Sequence, residues 1–192
     1  MTTGVSNIKP QLSILIPAIP NRLIGAMMLY KKIEEMCEGM NVEILLLVDN
    51  KKRSIGMKRD SLKNIANGKY FMIVDDDDNL ISIKEIYEAT YKDVDVITFK
   101  QRCFNSDGSE YIVTFGLGNE VQHNTKKDGM YTDMKRPPFH MCAWGERFKI
   151  FGYPDISYAE DWGFVESANK AARTDHHIDM ILHEYNFDPK KS

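Results

Sequence analysis

Tyr70–Phe71–Met72–Ile73–Val74 runs directly into four aspartates, Asp75 to Asp78. The first stretch is rich in β-branched and aromatic residues and follows Gly68, the pattern of a buried strand. A strand that ends in this way sets its carboxylates at the edge of a sheet. Like charges repel there, and desolvating them is costly unless a cation compensates. Hard oxygen donors on so short a span suit Mg²⁺ or Mn²⁺. Such an ion keeps open positions for substrate oxygens, those of a diphosphate among them. A solvated acidic turn capping the next helix is the alternative; the abrupt junction with an apolar strand favours the metal.

The rest of the first half repeats one pattern. Leu12–Ile16 reads as a strand stopped by Pro17. Arg22–Glu38 reads as a helix, with Leu23, Met27, Tyr30, Ile33 and Met36 or Cys37 on its inner face and Gly39 as the stop. Val42–Val48 is a strand ending at Asp49. Ser54 or Gly56 opens a helix through Ala66, with Leu62, Ile65 and Ala66 inward. After Tyr70–Val74 come a helix, Ser82–Tyr91, with Ile83, Ile86 and Tyr87 on one face, and a strand, Val94–Phe99. Alternation of strand and helix predicts an α/β fold with a mostly parallel central sheet. Ligands of such sheets bind beyond the carboxyl ends of the strands. Pro17, Asp49 and Asp75–Asp78 all fall there.

The second half is less regular. Arg102–Glu110 reads as a turn, Tyr111–Phe115 as a strand, and 116–138 as one long polar loop of the kind used for lids or binding. Glu160–Ala171 is helical, and Ile178–Leu182 a short strand or helix. No repeat or domain boundary is visible. The chain therefore reads as a single domain, 1–192. The polar tail Asp188–Ser192 is also compatible with excision from a longer chain.

Composition narrows the partners. A net charge of −3 gives no basic signature for nucleic acid. The three cysteines, Cys37, Cys103 and Cys142, have no paired spacing and argue against a disulfide framework or a zinc site. The apolar runs are too short to span a membrane, and the N-terminus lacks a signal-peptide pattern. A cytoplasmic protein is expected.

Three segments in this order and spacing, LSILIPAIPNR, SIGMKRDSLKNIANGKYFMIVDDDD and FGYPDISYAEDW, resemble the GT-A-fold, nucleotide-sugar-dependent glycosyltransferases of the large family-2 type. The resemblance covers nearly the whole chain; Asp60 departs from it, standing where the family usually has asparagine. It implies a GT-A-type, Rossmann-like α/β/α sandwich with a nucleotide-binding half (1–100) and an acceptor-binding and catalytic half (101–192), and an inverting, metal-dependent glycosyltransferase of the hexosyltransferase class. The donor would be a nucleotide diphosphate sugar, UDP-linked by expectation, and the acceptor a hydroxyl of a glycan.

By the same resemblance Asp77 is the metal ligand of a D-x-D pair that alternates onto one side of the strand end. Asp75 and Asp76 lie nearer the nucleotide, and Asp78 is a second ligand or supports one. Asp49 matches the aspartate that accepts uracil N3–H, with a turn aspartate as the alternative. Arg59 matches an arginine on base or phosphate, and Lys58 beside it reads as solvated. Pro17 lines the nucleotide loop; Arg22, just after it, reaches the nucleotide or sits on the surface. Asp161 would be the base that takes the acceptor's proton, with Glu160 orienting the acceptor or a sugar hydroxyl. Acids in a first helical turn are favoured by the helix dipole in any case. Trp162 reads as core, with acceptor stacking as the alternative. His183 is the implied histidine ligand to Mn²⁺ or Mg²⁺, with His176 and His177 as alternates. His140 either lines the acceptor site or packs.

Other classes fit less well. A nucleotidyltransferase usually has a glycine-rich loop where Pro17–Ala18–Ile19–Pro20 stands. A P-loop is absent, and the aspartate run lacks EF-hand spacing. A non-catalytic nucleotide-sugar-binding module has no need of a base such as the Glu160–Asp161 pair would supply.

Overall fold

The computed structural model describes residues 8–123, 125–127 and 130–186. The tail Asp188–Ser192 lies outside them. In chain order the elements are β1 (Leu12–Ala18), α1 (Leu23–Met36), β2 (Val42–Val48), α2 (Ile55–Ile65), β3 (Tyr70–Ile73), β4 (Asn79–Leu80), α3 (Lys84–Ala89) and β5 (Val96–Phe104). Then follow β6 (Glu110–Phe115), the short pair β7 (Lys126–Lys127) and β8 (Met130–Tyr131), β9 (Met134–Arg136), β10 (Ala143–Gly145), α4 (Glu160–Ala171) and β11 (Asp175–Asn186).

The main sheet runs β2-β1-β3-β10-β5-β11-β4, with β6 and β9 extending from β5. β1, β2 and β3 are parallel. β10 opposes both β3 and β5, so β5 runs with the first three, and β11 is parallel to β5. β1, β2, β3, β5 and β11 thus share one direction, and β4, β6, β9 and β10 oppose it. The expected α/β fold with a mostly parallel sheet is what forms. β1→β2 and β2→β3 step in opposite directions, so right-handed crossovers put α1 and α2 on opposite faces. Contacts agree: Lys32 of α1 donates to Leu80 O at 2.8 Å, while Phe71 of β3 meets Phe164 of α4 edge-on at 6.0 Å on the α2 side.

Several local expectations need correction. β1 continues through Pro17 rather than stopping there. Leu15 O accepts from Val74 N, so residues two apart from Leu15 face β3, and β3 has already ended beside Leu15. Proline's missing N–H therefore costs no ladder bond. The inner face of α1 is Ala26, Leu29 and Ile33, and Leu23 and Met27 are exposed. Counting only large apolar residues passes over Ala26, the small residue that lets the helix sit close. In α2 Ile65 is exposed while Lys58, Arg59 and Lys63 are buried with Leu62. β5 runs on to Phe104, shrinking the turn expected over 102–110. The described part of the 116–138 loop carries three short strands, of which β9 pairs in parallel with β6. The last segment is a long strand, β11, not a short element.

Gly56, in the first turn of α2, fixes how that helix meets the segment before α4. Its N–H donates to Ile156 O at 3.1 Å, and a Cβ there would lie 1.9 Å from Pro154 O. Gly56→Ala is expected to cost about 1–3 kcal/mol, the usual range for overpacking. The urea midpoint would report it, and an unchanged midpoint would show that the 154–156 segment yields freely.

Candidate active site

β3 ends at Ile73, and the aspartate run is a turn, closed by Asp78 N donating to Asp75 O at 3.1 Å. Strand alternation therefore does not carry through the run. Asp75 faces α2, Asp76 and Asp77 face Arg22, and Asp78 faces β11. The expected pairing of Asp75 and Asp77 on one side is not observed.

Arg59 is the hub. Its Nη2 donates to both Asp75 oxygens at 2.9 and 2.7 Å, and its Nη1 to Glu160 Oε1 at 2.7 Å. Asp161 Oδ2 stands 3.9 Å from the same Nη1. Ser54 sets this geometry by capping α2, its Oγ accepting from Met57 N at 3.0 Å. Asp60 fixes the next turn: it accepts from Tyr153 N at 3.2 Å and holds Lys63, whose ammonium also meets Phe151 O. The segment leading to Glu160 is thereby tied to α2. Two acidic centres more than eighty residues apart in sequence converge on one guanidinium.

His140 completes the centre. Buried just before β10, it places Nδ1 3.3 Å from Asp161 Oδ2 and Nε2 3.8 Å from Asp75 Oδ2. Burial pushes the Asp161 carboxyl up, but the contact with His140 and the charge of Arg59 outweigh it and hold it below its ordinary value. Burial likewise raises Asp75, and Arg59 with His140 overcomes that too. Both are carboxylates at neutral pH.

The other aspartates differ. Arg22 Nη1 lies 2.9 Å from Asp76 Oδ1 and also binds Asp77. Burial, with Asp77 and Asp75 nearby, still pushes Asp76 up to about 6 against the pull of Arg22. Asp78 is buried, 3.4 Å from His183 Nε2, and Gln101 holds the opposite ring nitrogen of His183 at 3.0 Å. Burial drives the imidazole down to about 3, so it is neutral. Asp78 Oδ1 and His183 Nε2 are buried polar atoms with no hydrogen-bond partner. Burial, with Asp75 and Asp77 nearby, pushes the Asp78 carboxyl well above its ordinary value, a penalty that a cation bound beside it would relieve, and a carboxyl facing a neutral imidazole is a donor pair that suits Mn²⁺. Asp77, held by Arg22, is turned to a different partner. Among the described residues no three His, Cys, Asp or Glu side chains converge as a ligand set. His176 and His177 stand at the far end of β11, beside Ile97 and Thr98.

Two cavities meet at this centre. The larger, about 750 Å³, has Pro17, Arg22, Lys58, Asp76, Asp77 and Glu160 in its wall. The smaller, about 320 Å³, reaches Asp78 and His140 and continues toward β5, β6 and β9. Arg59, Asp75, Asp161, Trp162 and Tyr185 line both. Asp49 lines neither; it accepts from Lys51 N and Arg53 N, each at 3.1 Å, and shapes the loop that carries those cations. Lys58 is not solvated: it donates to Ala18 O at 3.1 Å and lies 3.4 Å from Asp49. The signal was present, since Lys58 and Arg59 stand four and three residues before Leu62 on the inward face. Trp162 is half exposed at the cavity mouth rather than core, 5.7 Å from the Phe139 ring.

No family model matches the chain, and no curated protein matches it. Among solved structures it is similar to S. aureus TarS, with a TM-score of 0.55 at 13% identity, over 93% of this chain and 37% of that one. Against TarS 1–349 in complex with UDP the TM-score is 0.54 at 13% identity, over 94% of this chain and 61% of that one. Against the same fragment in complex with UDP-GlcNAc it is 0.54 at 14% identity, over 93% and 59%. The chain thus spans less than two thirds of either TarS chain. The fold is that of the matched part of TarS. No helix among the described residues is long and apolar enough to cross a membrane.

Proposed function

We propose that the chain is an inverting, metal-dependent glycosyltransferase domain. It moves a sugar from a nucleotide diphosphate sugar, UDP-linked, to a hydroxyl of a glycan acceptor. The observation that carries this reading is the position of Asp161: an ionised carboxylate where a large cation-lined cavity meets a smaller aromatic one. TarS has been crystallised with UDP and with UDP-GlcNAc, which supports the same donor class here.

In this reading the larger cavity takes the nucleotide. Arg22, Lys58 and Arg53 offer positive charge to the diphosphate, and the loop shaped by Asp49 borders the base. Asp78 and His183 would hold Mn²⁺ or Mg²⁺. Bound there, the ion supplies charge compensation for the leaving diphosphate. Asp161 takes the acceptor hydroxyl's proton as that oxygen attacks the anomeric carbon. His140 fixes the rotamer of Asp161, and Glu160, held by Arg59, keeps the start of α4 in place. A single displacement with one base and no enzyme nucleophile inverts the anomeric configuration.

Calorimetry of UDP binding, with Mn²⁺ and with EDTA, tests the metal. The metal is expected to tighten UDP by about tenfold or more, and Asp78→Asn to abolish that gain. Asp107→Asn, in an exposed turn, is the control that keeps it. Equal affinity with and without metal would remove the ion from the site. UDP-sugar binding with no turnover on any acceptor would leave a binding module instead of an enzyme.

A further inference from the structure

The smaller cavity has a wall that the donor reading does not use. β5, β6 and β9 lie side by side, and strand periodicity turns alternate residues to one face. Gln101 and Cys103 of β5 and Val113 and Phe115 of β6 form that face, with Arg136 of β9 in register beside Phe115. Gln101, Cys103, Val113 and Phe115 are buried, so the cavity is deep and its far wall is mostly apolar. Phe139 stacks on Phe115 at 6.4 Å and meets Trp162 edge to face at 5.7 Å, so the aromatic lining continues from that wall to the mouth. Aromatic faces of this kind suit the C–H faces of a sugar ring.

Charge makes the site specific. Two arginines line the cavity. Arg59 is neutralised by Asp75 and Glu160. Arg136 is half-buried, and the hydrogen bond its guanidinium makes among the described residues is from Nε to the Gln122 carbonyl, at 3.3 Å. None of the described carboxylates lies within ion-pair distance of it. An arginine in a cavity wall whose terminal nitrogens meet no described carboxylate is suited to bind a planar or tetrahedral oxyanion. The cavity's own carboxylates, Asp75, Asp78 and Asp161, come from the end of β3 and the start of α4, elements other than the β9 strand that carries Arg136.

We propose that the smaller cavity binds the acceptor and that Arg136 selects acceptors carrying an anionic group, a phosphate or a carboxylate. This rests on the glycosyltransferase reading and names its acceptor class. The anion is held at β9 while a hydroxyl of the same molecule is presented to Asp161. Arg136 is thus a specificity residue and takes no part in the proton transfer.

The test titrates glucose, glucose 6-phosphate and glucuronate against the protein preloaded with UDP and Mn²⁺, and against the unloaded protein. At least one anionic probe is expected to bind about tenfold or more tightly than glucose, and Arg136→Gln to erase that preference. Arg136→Lys, which keeps the charge without the fork, is expected to retain part of it. A preference for glucose 6-phosphate alone assigns phosphate, and one for glucuronate alone assigns carboxylate. Equal binding of all three probes overturns the proposal, as does a preference that survives Arg136→Gln in a folded variant. Failure of UDP itself to bind would defeat the glycosyltransferase reading separately, and the unloaded titration would still decide what Arg136 does.

Discussion

Arg59→Met is expected to lower the melting temperature by roughly 6–20 °C, since breaking a buried ion pair costs about 3–5 kcal/mol and each kcal/mol moves a chain of this size by about 2–4 °C. Arg59 is 4% exposed, and its guanidinium satisfies Asp75 and Glu160 with three hydrogen bonds. Methionine fills a similar volume but leaves two carboxylates facing each other with no cation. The charge network, not the packing, is what the variant removes. Adding Asp75→Asn and Glu160→Gln to Arg59→Met is therefore expected to recover most of the lost stability. Arg59→Lys should fall between, because one ammonium cannot bridge both partners in the fork geometry. Thermal unfolding by circular dichroism distinguishes these cases. A shift below about 2 °C for Arg59→Met would show that water already reaches the carboxylates and that the hub is not structural.

Asp161→Asn is expected to lower kcat by about a hundredfold or more with UDP affinity unchanged, the range for losing a general base. The amide keeps the shape and the 3.3 Å approach to His140 but cannot accept the proton. Burial raises this carboxyl, while His140 and Arg59 bring it below its ordinary value. The rate should therefore stay level across neutral pH and fall only in acid, as Asp161 takes up a proton. His140→Asn removes a contact that favours the charged form. It should shift that acid limb to higher pH, a change that a purely structural histidine would not produce. Normal turnover in Asp161→Asn, or a product of retained configuration, would defeat the assignment. Product configuration can be read by nuclear magnetic resonance before the anomers equilibrate.

The fold was legible because its signal is additive. Each of β1, α1, β2, α2 and β3 is a contiguous apolar or periodic run, and five such runs in alternation leave few topologies. The convergence of Asp75, Arg59, Glu160 and Asp161 was legible in outline, since strand ends and helix starts of one sheet share a rim. What each aspartate faces was not. Asp75, Asp76, Asp77 and Asp78 are alike in sequence, and a turn over the run gives them three different partners from three distant segments. Lys58 and Trp162 were misplaced for a related reason. Residue type predicts average burial, but a helix packed on carboxylates buries its cations, and a cavity mouth exposes its tryptophan. Nothing local marks Arg136, whose setting exists only once β9 has paired with β6.

The order of strands in the sheet also dictates when the protein can fold during synthesis. β3 and β5 are not paired with each other; β10 is laid between them, and β11 lies between β5 and β4. Until Ala143–Gly145 has left the ribosome, the nascent chain carries an open edge on β3, a strand made wholly of buried residues. An apolar edge of that kind is a template for pairing with another chain. Long-range pairings of this sort also slow folding, because the intervening loop must close first. The nascent first hundred residues would thus depend on a chaperone or on rapid translation of the remainder. A ribosome stalled before residue 143 should hold a protease-sensitive chain, and one stalled after β11 has cleared the exit tunnel a resistant one.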